Sequence, residues 1–300
     1  MAKRPHTGPD GLVVVDKPAG WTSHDVVAKS RGLLGTRKVG HAGTLDPDAT
    51  GVLLLGVGRA TKLLRFLSPL GKAYVGEVSL GVETSTLDAA GEVTATHDMA
   101  NVTFDDIRRV AAGFVGDIEQ IPPMVSAIKI DGKRLHELAR KGIEVERPPR
   151  PVTIHSLDVL PGPADESNVF TMAVSCSSGT YIRTLAADIG TALGGGAHLR
   201  NLRRTSVGPF TLGEAVALEK VGPDVVLPMV EAVRHLDSVV VSAEVAEEVK
   251  VGKVLARHVL AVSGDGSGPF AVLADQQTLL AVYEPFRGDT LKPILVIPDL

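Results

Sequence analysis

The sequence predicts an α+β fold: a mixed, largely antiparallel sheet with flanking helices, an arm-like insertion and a small C-terminal β domain. Three observations predict it. Short apolar strands alternate with capped amphipathic helices along the first two-thirds of the 300 residues. Turn signals of the hairpin type, such as Asp131-Gly132, fall between extended runs. From about Leu236 onward come further short strand-like runs: FAVLAD, TLLAVYE and LKPILVIPD.

The elements follow in order. GLVVVDKPAG reads as a buried strand closed by a Lys-Pro-Ala-Gly turn. TSHDVVAKSRGLLG is a helix capped by Thr22 or Ser23, with Asp25 in its first turn and Gly35 at its end. HAGTLDPDATG, residues 41–51, reads as neither helix nor strand. VLLLGVG is a buried strand, and RATKLLRFL a short helix with Leu63, Leu64 and Leu67 on one face. In KAYVGEVSLG the period is two: Tyr74, Val78 and Leu80 share a face, and Glu77 and Ser79 take the other. TFDDIRRVAAGFVG is a helix with Thr103 as cap, Ile107, Val110, Ala111 and Phe114 inward, and Gly116 as stop. PPMVSAIKIDGKRLHELARKG predicts a hairpin turn at Asp131-Gly132 and a short helix over RLHELARK. Residues 123–150 hold 7 basic and 4 acidic residues between prolines, the composition of a basic insertion. VFTMAVSCSSGTYIRTLAADIGTALGGG is a strand, a tight turn and a helix, with Ile182, Leu185, Ala186, Ile189 and Leu193 at the 3.6 period. HLRNLRRTSVGPF returns as a strand. The expected division is a frayed start over 1–10, a large domain over 11–235 with the insertion at 123–150, and a small β domain over 236–300.

An apolar share of 44% permits a sizeable core. A lone cysteine, Cys176, excludes an internal disulfide framework and a thiolate zinc site. No apolar run approaches the ~20 residues that span a bilayer, and MAKRPHTGPD has no apolar signal-peptide core. A soluble, cytoplasmic protein is the expectation. The formal net charge of −4 argues against a nucleic-acid partner, but its distribution does not. Residues 214–300 carry 7 Lys and Arg against 13 Asp and Glu, whereas residues 1–213 carry 24 against 22. The acid is concentrated in the last third, and the remainder is free to present a basic face.

Asp46 is the first candidate for chemistry. Pro47 excludes it from the helical region, and Gly43 and Gly51 permit tight turns. A rigid carboxylate suits a nucleophile or general base; an Asx-turn that only bonds nearby amides fits the same residues. His41, Asp46 and Asp48 match no recognised metal-ligand spacing. GVLLLGVGRATK lacks the Gly-Lys-Ser/Thr ending of a phosphate loop. Arg183 lies in the first turn of its helix, where a cation is disfavoured by the helix dipole, so an anionic neighbour is expected.

Five blocks together resemble the TruB family of tRNA pseudouridine synthases: DKPAGWTSHDVV, GHAGTLDPDATGVLLLGVGRATK, KAYVGEVSLG, PPMVSAIKIDGKRLHELARKG and GTYIRTLAADIG. The likeness runs from about residue 11 to 213, and the C-terminal piece resembles a PUA-like domain. The resemblance implies isomerisation of uridine 55 in the T loop of tRNA, with no guide RNA, no cofactor and no metal. It implies tRNA as partner. No membrane and no obligate protein partner are expected, and a monomer is expected because no heptad or obvious sticky edge appears in the sequence. It places Asp46 as the catalytic aspartate, Tyr74 as the tyrosine against the target base, and Arg183 as the arginine paired with that aspartate. Tyr181 falls where a tyrosine contacts the base, Leu202 where an apolar residue walls the pocket, and His41 where a histidine fills the space of the flipped base. Attack by Asp46 on C1′, attack on C6 and assistance to a glycal are all compatible with this placement. The implied RNA-backbone contacts are Lys129, Lys133, Arg134, Arg140 and Lys141 of the insertion, with Arg203 and Arg204 beyond the pocket strand. Many relatives carry Tyr where this chain has Val125, a departure in the arm.

Overall fold

The fold is seen in a computed structural model, which describes residues 8–126, 129–130, 133–134, 142–143, 145–262 and 266–297. In chain order come β1 (Gly11–Lys17), α1 (Ser23–Leu33), β2 (Val39–Ala42), β3 (Thr50–Val57), α2 (Leu64–Leu67), β4 (Lys72–Leu80), β5 (Val82–Thr84) and β6 (Val93–Thr96). Next are α3 (Phe104–Ala112), β7 (Gly116–Gln120), β8 (Lys129–Ile130), β9 (Lys133–Arg134), β10 (Arg150–Pro161), β11 (Val169–Cys176), α4 (Ile182–Ala192) and β12 (Ala197–Val207). The chain closes with β13 (Phe210–Thr211), β14 (Val216–Ala217), β15 (Asp237–Val240), α5 (Ala243–Lys250), β16 (Leu255–Ala256), β17 (Phe270–Leu273), β18 (Leu279–Pro285) and β19 (Thr290–Val296). This is the α+β class that the sequence predicts. The elements form two compact units: Met1–Pro47, Gly51–Pro69 and Val207–Leu300 make one, and Asp48–Thr50 with Leu70–Ser206 the other.

In the first unit, β1 runs antiparallel to β3 from Gly11 opposite Val57 to Lys17 opposite Gly51. β14 lies parallel to β1, and β2 pairs with β3, placing His41 opposite Leu55. β3 is buried at nearly every position, which explains its unbroken apolar run. Val13, Val15, Leu53 and Leu55 pack with Val26 and Val27 of α1. Thr22 caps α1 in a full capping box with Asp25. Farther along, a five-stranded sheet in the order β15-β17-β18-β19-β16 buries its apolar face together with Ala246 and Val249 of α5. Tyr283 of β18 is fully buried and donates to the Lys253 carbonyl at 2.9 Å.

In the second unit the strand order is β12-β4-β11-β10-β7. β11 is antiparallel to β4, with Val174 opposite Tyr74. Val78, Phe170 and Met172 of this sheet share a core with Ile107 of α3 and with Ile182, Leu185 and Ile189 of α4. Each such side chain contributes about 1.5–3 kcal/mol of burial. α3 ends at Ala112 with Gly113 as cap, earlier than the expected stop at Gly116. Gly116 instead opens β7 at φ +109°, a conformation that only glycine adopts without strain. Lys129 pairs with Arg134 and Ile130 with Lys133, as the hairpin signal at Asp131-Gly132 requires. Of the helix expected over RLHELARK, Arg134 falls instead in β9, and residues 135–141 lie outside the described residues.

Candidate active site

HAGTLDPDATG is less irregular than its composition implies. Its first two residues finish β2 and its last two begin β3, so only residues 43–49 form a loop. The strong turn residues conceal the strand ends. Gly43 and Gly51 take φ of +80° and +102°, as the sequence requires.

Asp46 is half-buried, and both of its neighbours are tied down. On one side, the Ser23 hydroxyl accepts from the Leu45 amide at 2.9 Å and donates to the Leu45 carbonyl at 3.2 Å. On the other, the Pro47 carbonyl accepts from Lys17 Nζ at 2.8 Å and from the Gly20 amide at 3.0 Å. Lys17 is fully buried, and its ammonium also donates to the Pro18 and Trp21 carbonyls at 3.0 and 2.6 Å. Strand β1 and helix α1 therefore hold the loop on both sides of Asp46. Neither Lys17 nor Ser23 emerges from the sequence as a site residue, because hydrogen bonds from side chain to distant backbone leave no periodic trace.

Lys17→Met keeps the apolar stem and removes the donors of three carbonyls. It is expected to cost about 2–3 kcal/mol of stability and to slow single-turnover catalysis strongly. Urea denaturation and rapid-quench kinetics read the two effects. A protein as stable and as fast as wild type would show that the ammonium does not anchor the loop.

His41 lies at the end of β2, with its ring edge-on to that of His24 at 5.4 Å between centroids and 81° between planes. Asp48 is exposed.

The remaining candidates lie in the second unit. Arg183 is the second residue of α4 and only 5% exposed. Its Nη1 donates to Asp88 Oδ2 and to the Thr86 carbonyl, both at 3.0 Å, and its Nη2 donates to the Val125 carbonyl at 2.8 Å. The expected anionic neighbour thus includes Asp88, a residue that sequence reasoning missed. Asp88 is itself held: its Oδ1 accepts from the Thr86 hydroxyl at 2.5 Å and the Ala90 amide at 3.1 Å. Leu87 beside it adopts φ +63°, and the chain on either side bonds to Leu199 of β12.

Tyr181 is the N-cap of α4, and its backbone is bracketed by a buried amide. Gln120 Oε1 accepts from the Tyr181 amide at 2.9 Å, and Gln120 Nε2 donates to its carbonyl at 3.3 Å. Gln120 too was invisible in the sequence, sixty-one residues from its partner. Tyr74 and Leu202 both pack against the core of this unit. Gly76 makes room for Leu199 and Leu202, since a Cβ there would meet them at 3.1 and 3.2 Å.

Among the expected backbone contacts, Arg204 requires a correction. It is 1% exposed and hydrogen-bonded to Tyr74, so it is a buried support and not a phosphate contact. Arg204 lies two residues after Leu202 on β12 and shares its face; Asn201, at φ +52°, shifts the alternation only relative to Leu199. Arg200, before Asn201, reaches Glu77 and Glu166, while Leu202 and Arg204 after it turn toward the Tyr74 face. Arg203 is half-buried and donates to Thr50 Oγ1 at 3.2 Å. The side chains of Lys129, Lys133 and Arg134, and all of Arg140 and Lys141, lie outside the described residues.

Lys72, two residues before Tyr74, is also buried, and its Nζ donates to the Leu70 carbonyl at 2.6 Å and to Ser178 Oγ at 3.1 Å. Burial pushes this ammonium down to about 8, and the neighbouring Arg204 adds to the effect. Among the described residues, no group of three or more His, Cys, Asp or Glu is placed to hold a metal ion, and no helix is long and apolar enough to cross a membrane.

Comparison with known proteins supplies the family. Residues 31–182 match the model of the TruB family pseudouridylate synthase N-terminal domain, and residues 183–247 that of the tRNA pseudouridylate synthase B C-terminal domain. The chain is 46% identical to the tRNA pseudouridine synthase B of Arthrobacter sp. over 297 residues, covering 95% of this chain and 96% of that protein. It is 56% identical to the Rhodococcus jostii protein of the same name over 216 residues, 71% of each chain. Among solved structures, a Cbf5-Nop10-Gar1 complex contains a chain that superposes with a TM-score of 0.75 at 29% identity, covering 96% of this chain and 85% of that one. The chain belongs to the TruB family of pseudouridylate synthases, isomerases that convert uridine in tRNA to pseudouridine.

Proposed function

We propose that this enzyme acts on uridine 55 in the T loop of tRNA, without a guide RNA, and that Asp46 is its nucleophile. The observation that carries the reading is the anchoring of Asp46: its neighbours Leu45 and Pro47 are held by Ser23, Lys17 and Gly20, although the carboxylate lies in a loop. Such restraint has a use when a nucleophile must be held at a reacting carbon.

The base is turned out of its stack, at a cost of a few kcal/mol. Tyr74 gives it an aromatic face, worth ~1–3 kcal/mol by analogy with single-strand binders. His41 occupies the vacated place, Leu202 walls the pocket, and Tyr181 contacts the base. Arg183 pairs with Asp46 and favours its ionised form; Asp88 fixes Arg183. Isomerisation breaks N1–C1′, turns the base over and joins C5 to C1′, so no redox or acyl cofactor is required. Residues 11–235 form the catalytic domain and 236–300 a small PUA-like domain. The insertion at 123–150, with Lys129, Lys133, Arg134, Arg140 and Lys141, closes over the T arm, and Arg203 adds a contact to the backbone. The enzyme works as a monomer with no obligate protein partner.

The test is purified protein with a bare T-arm stem-loop, in EDTA and without any other RNA. Pseudouridine forming at position 55 is the expected result. A requirement for guide RNA and accessory proteins would instead favour a particle of the kind named for the structural neighbours, the Cbf5-Nop10-Gar1 complex and an H/ACA RNP bound to substrate RNA.

A further inference from the structure

Tyr181 is an unusual start for a helix. As N-cap of α4 it holds the place where a short Ser, Thr or Asp side chain would bond the first helical amides, which a phenol does not reach. Its backbone is held from outside the helix instead. The Tyr181 carbonyl accepts from the Leu185 amide at 3.0 Å, the first bond of the helix, and from Gln120 Nε2 at 3.3 Å. The Tyr181 amide donates to Gln120 Oε1 at 2.9 Å. A backbone amide only donates and a carbonyl only accepts, so these two bonds admit one orientation of the Gln120 side chain. Gln120 is 1% exposed, so little water competes for either bond.

Gln120 also marks a position in the chain. It ends β7, opposite Arg150 at the start of β10, and the insertion lies between the two. The backbone just past Gln120 bonds the same turn of helix. The Ile121 carbonyl accepts from Thr184 Oγ1 at 3.5 Å, and the Val125 carbonyl from Arg183 Nη2 at 2.8 Å. The first turn of α4 is thus bonded to the entrance of the insertion at Gln120, Ile121 and Val125. Tyr181 and Arg183 both belong to that turn.

We propose that Gln120 is the positioning residue of Tyr181 and of the first turn of α4: it fixes the backbone from which the Tyr181 and Arg183 side chains leave. The inference rests on the reading of those two side chains as groups of the site. The buried face of α4, with Leu185 and Ile189 in the core, fixes the later turns. A helix end frays unless it is tied, and the tie here comes from a strand sixty-one residues away. A misplacement of about 1 Å at a reacting group can cost about 100-fold in rate.

The test pairs a reading without RNA with one on RNA. Gln120→Met keeps the length and the apolar stem and removes both hydrogen-bonding groups. In protein carrying 3-fluorotyrosine, the three tyrosines, Tyr74, Tyr181 and Tyr283, give three fluorine resonances, and Tyr181→Phe assigns one of them. Gln120→Met should move or broaden the Tyr181 resonance and leave that of Tyr283 in place. With enzyme in saturating excess over a T-arm stem-loop, its single-turnover rate should fall by about 10- to 100-fold, with RNA affinity little changed. Gln120→Asn, with its amide on a shorter stem, should lose less. A merely structural residue would lower the denaturation midpoint and the folded fraction, but not the saturating rate of the folded enzyme.

Two results would overturn the proposal. One is a Gln120→Met enzyme with the saturating rate of the wild type. The other is a slow enzyme whose Tyr181 resonance has not moved. If Gln120→Met does not fold, Gln120→Asn decides by the same two readings. If the wild type makes no pseudouridine in the stem-loop, the functional reading fails, and a displaced Tyr181 resonance in Gln120→Met still upholds the anchoring.

Discussion

Asp46→Asn is expected to stop pseudouridine formation, with a fall of at least about 10⁴-fold in the single-turnover rate, while tRNA binding largely survives. The substitution is nearly isosteric. The bonds that hold the loop run through the Leu45 and Pro47 backbone and the side chains of Ser23 and Lys17, none of which it touches. Loss of activity in a folded, RNA-binding protein would then belong to the carboxylate. Asp48, exposed and two residues on, is the internal control. Asp48→Asn should retain most of the activity. Equal inactivity of the two variants would contradict the division of labour within the loop. Electrophoretic-mobility and rapid-quench measurements on one T-arm substrate separate binding from turnover.

Asp88→Ala is expected to have the second-largest effect. It removes the carboxylate 3.0 Å from a guanidinium that is almost fully buried. Breaking a buried pair from one side costs about 3–5 kcal/mol. Asp88 retains 24% side-chain exposure, so water recovers part of this, and about 2–3 kcal/mol is the expectation here. The kinetic effect should be larger than the stability effect implies. Asp88 holds Arg183, and if Arg183 pairs with Asp46 as proposed, a small misplacement of it can cost about 100-fold. Asp88→Asn keeps the shape and an acceptor for the Thr86 hydroxyl, so its loss should be intermediate. Chemical denaturation and single-turnover rates check both. An Asp88→Ala enzyme with wild-type kcat would exclude Asp88 from positioning Arg183.

The parts of this fold that are local are legible in the sequence. Thr22 and Asp25 announce the start of α1, and Thr103 that of α3, because a capping box lies within four residues. The buried face of α4 follows from its 3.6 period, and the faces of β4 from alternation. Asp46 stood out because Pro47 and two glycines make its loop unusual. Lys17, Gln120 and Asp88 did not stand out, for a common reason. Each acts on backbone or side chain far away along the chain, Lys17 on Pro47, Gln120 on Tyr181 and Asp88 on Arg183. Nothing in spacing or composition connects such pairs. Arg204 was misplaced for a different reason. Its charge and its nearness to the pocket strand suggested a contact with RNA, whereas it follows Leu202 by two residues on β12 and is buried on the same face. The end of α3 shifted because two glycines, Gly113 and Gly116, both fit a helix stop, and only the fold selects the first.

The most direct measurement is position-resolved mapping of pseudouridine in a T-arm stem-loop after incubation with wild-type and Asp46→Asn protein at matched RNA occupancy. Conversion at uridine 55 by the wild type, and none by the variant, is the predicted result. Full conversion by Asp46→Asn, or conversion only at another uridine, would contradict the assignment of Asp46 or of its substrate.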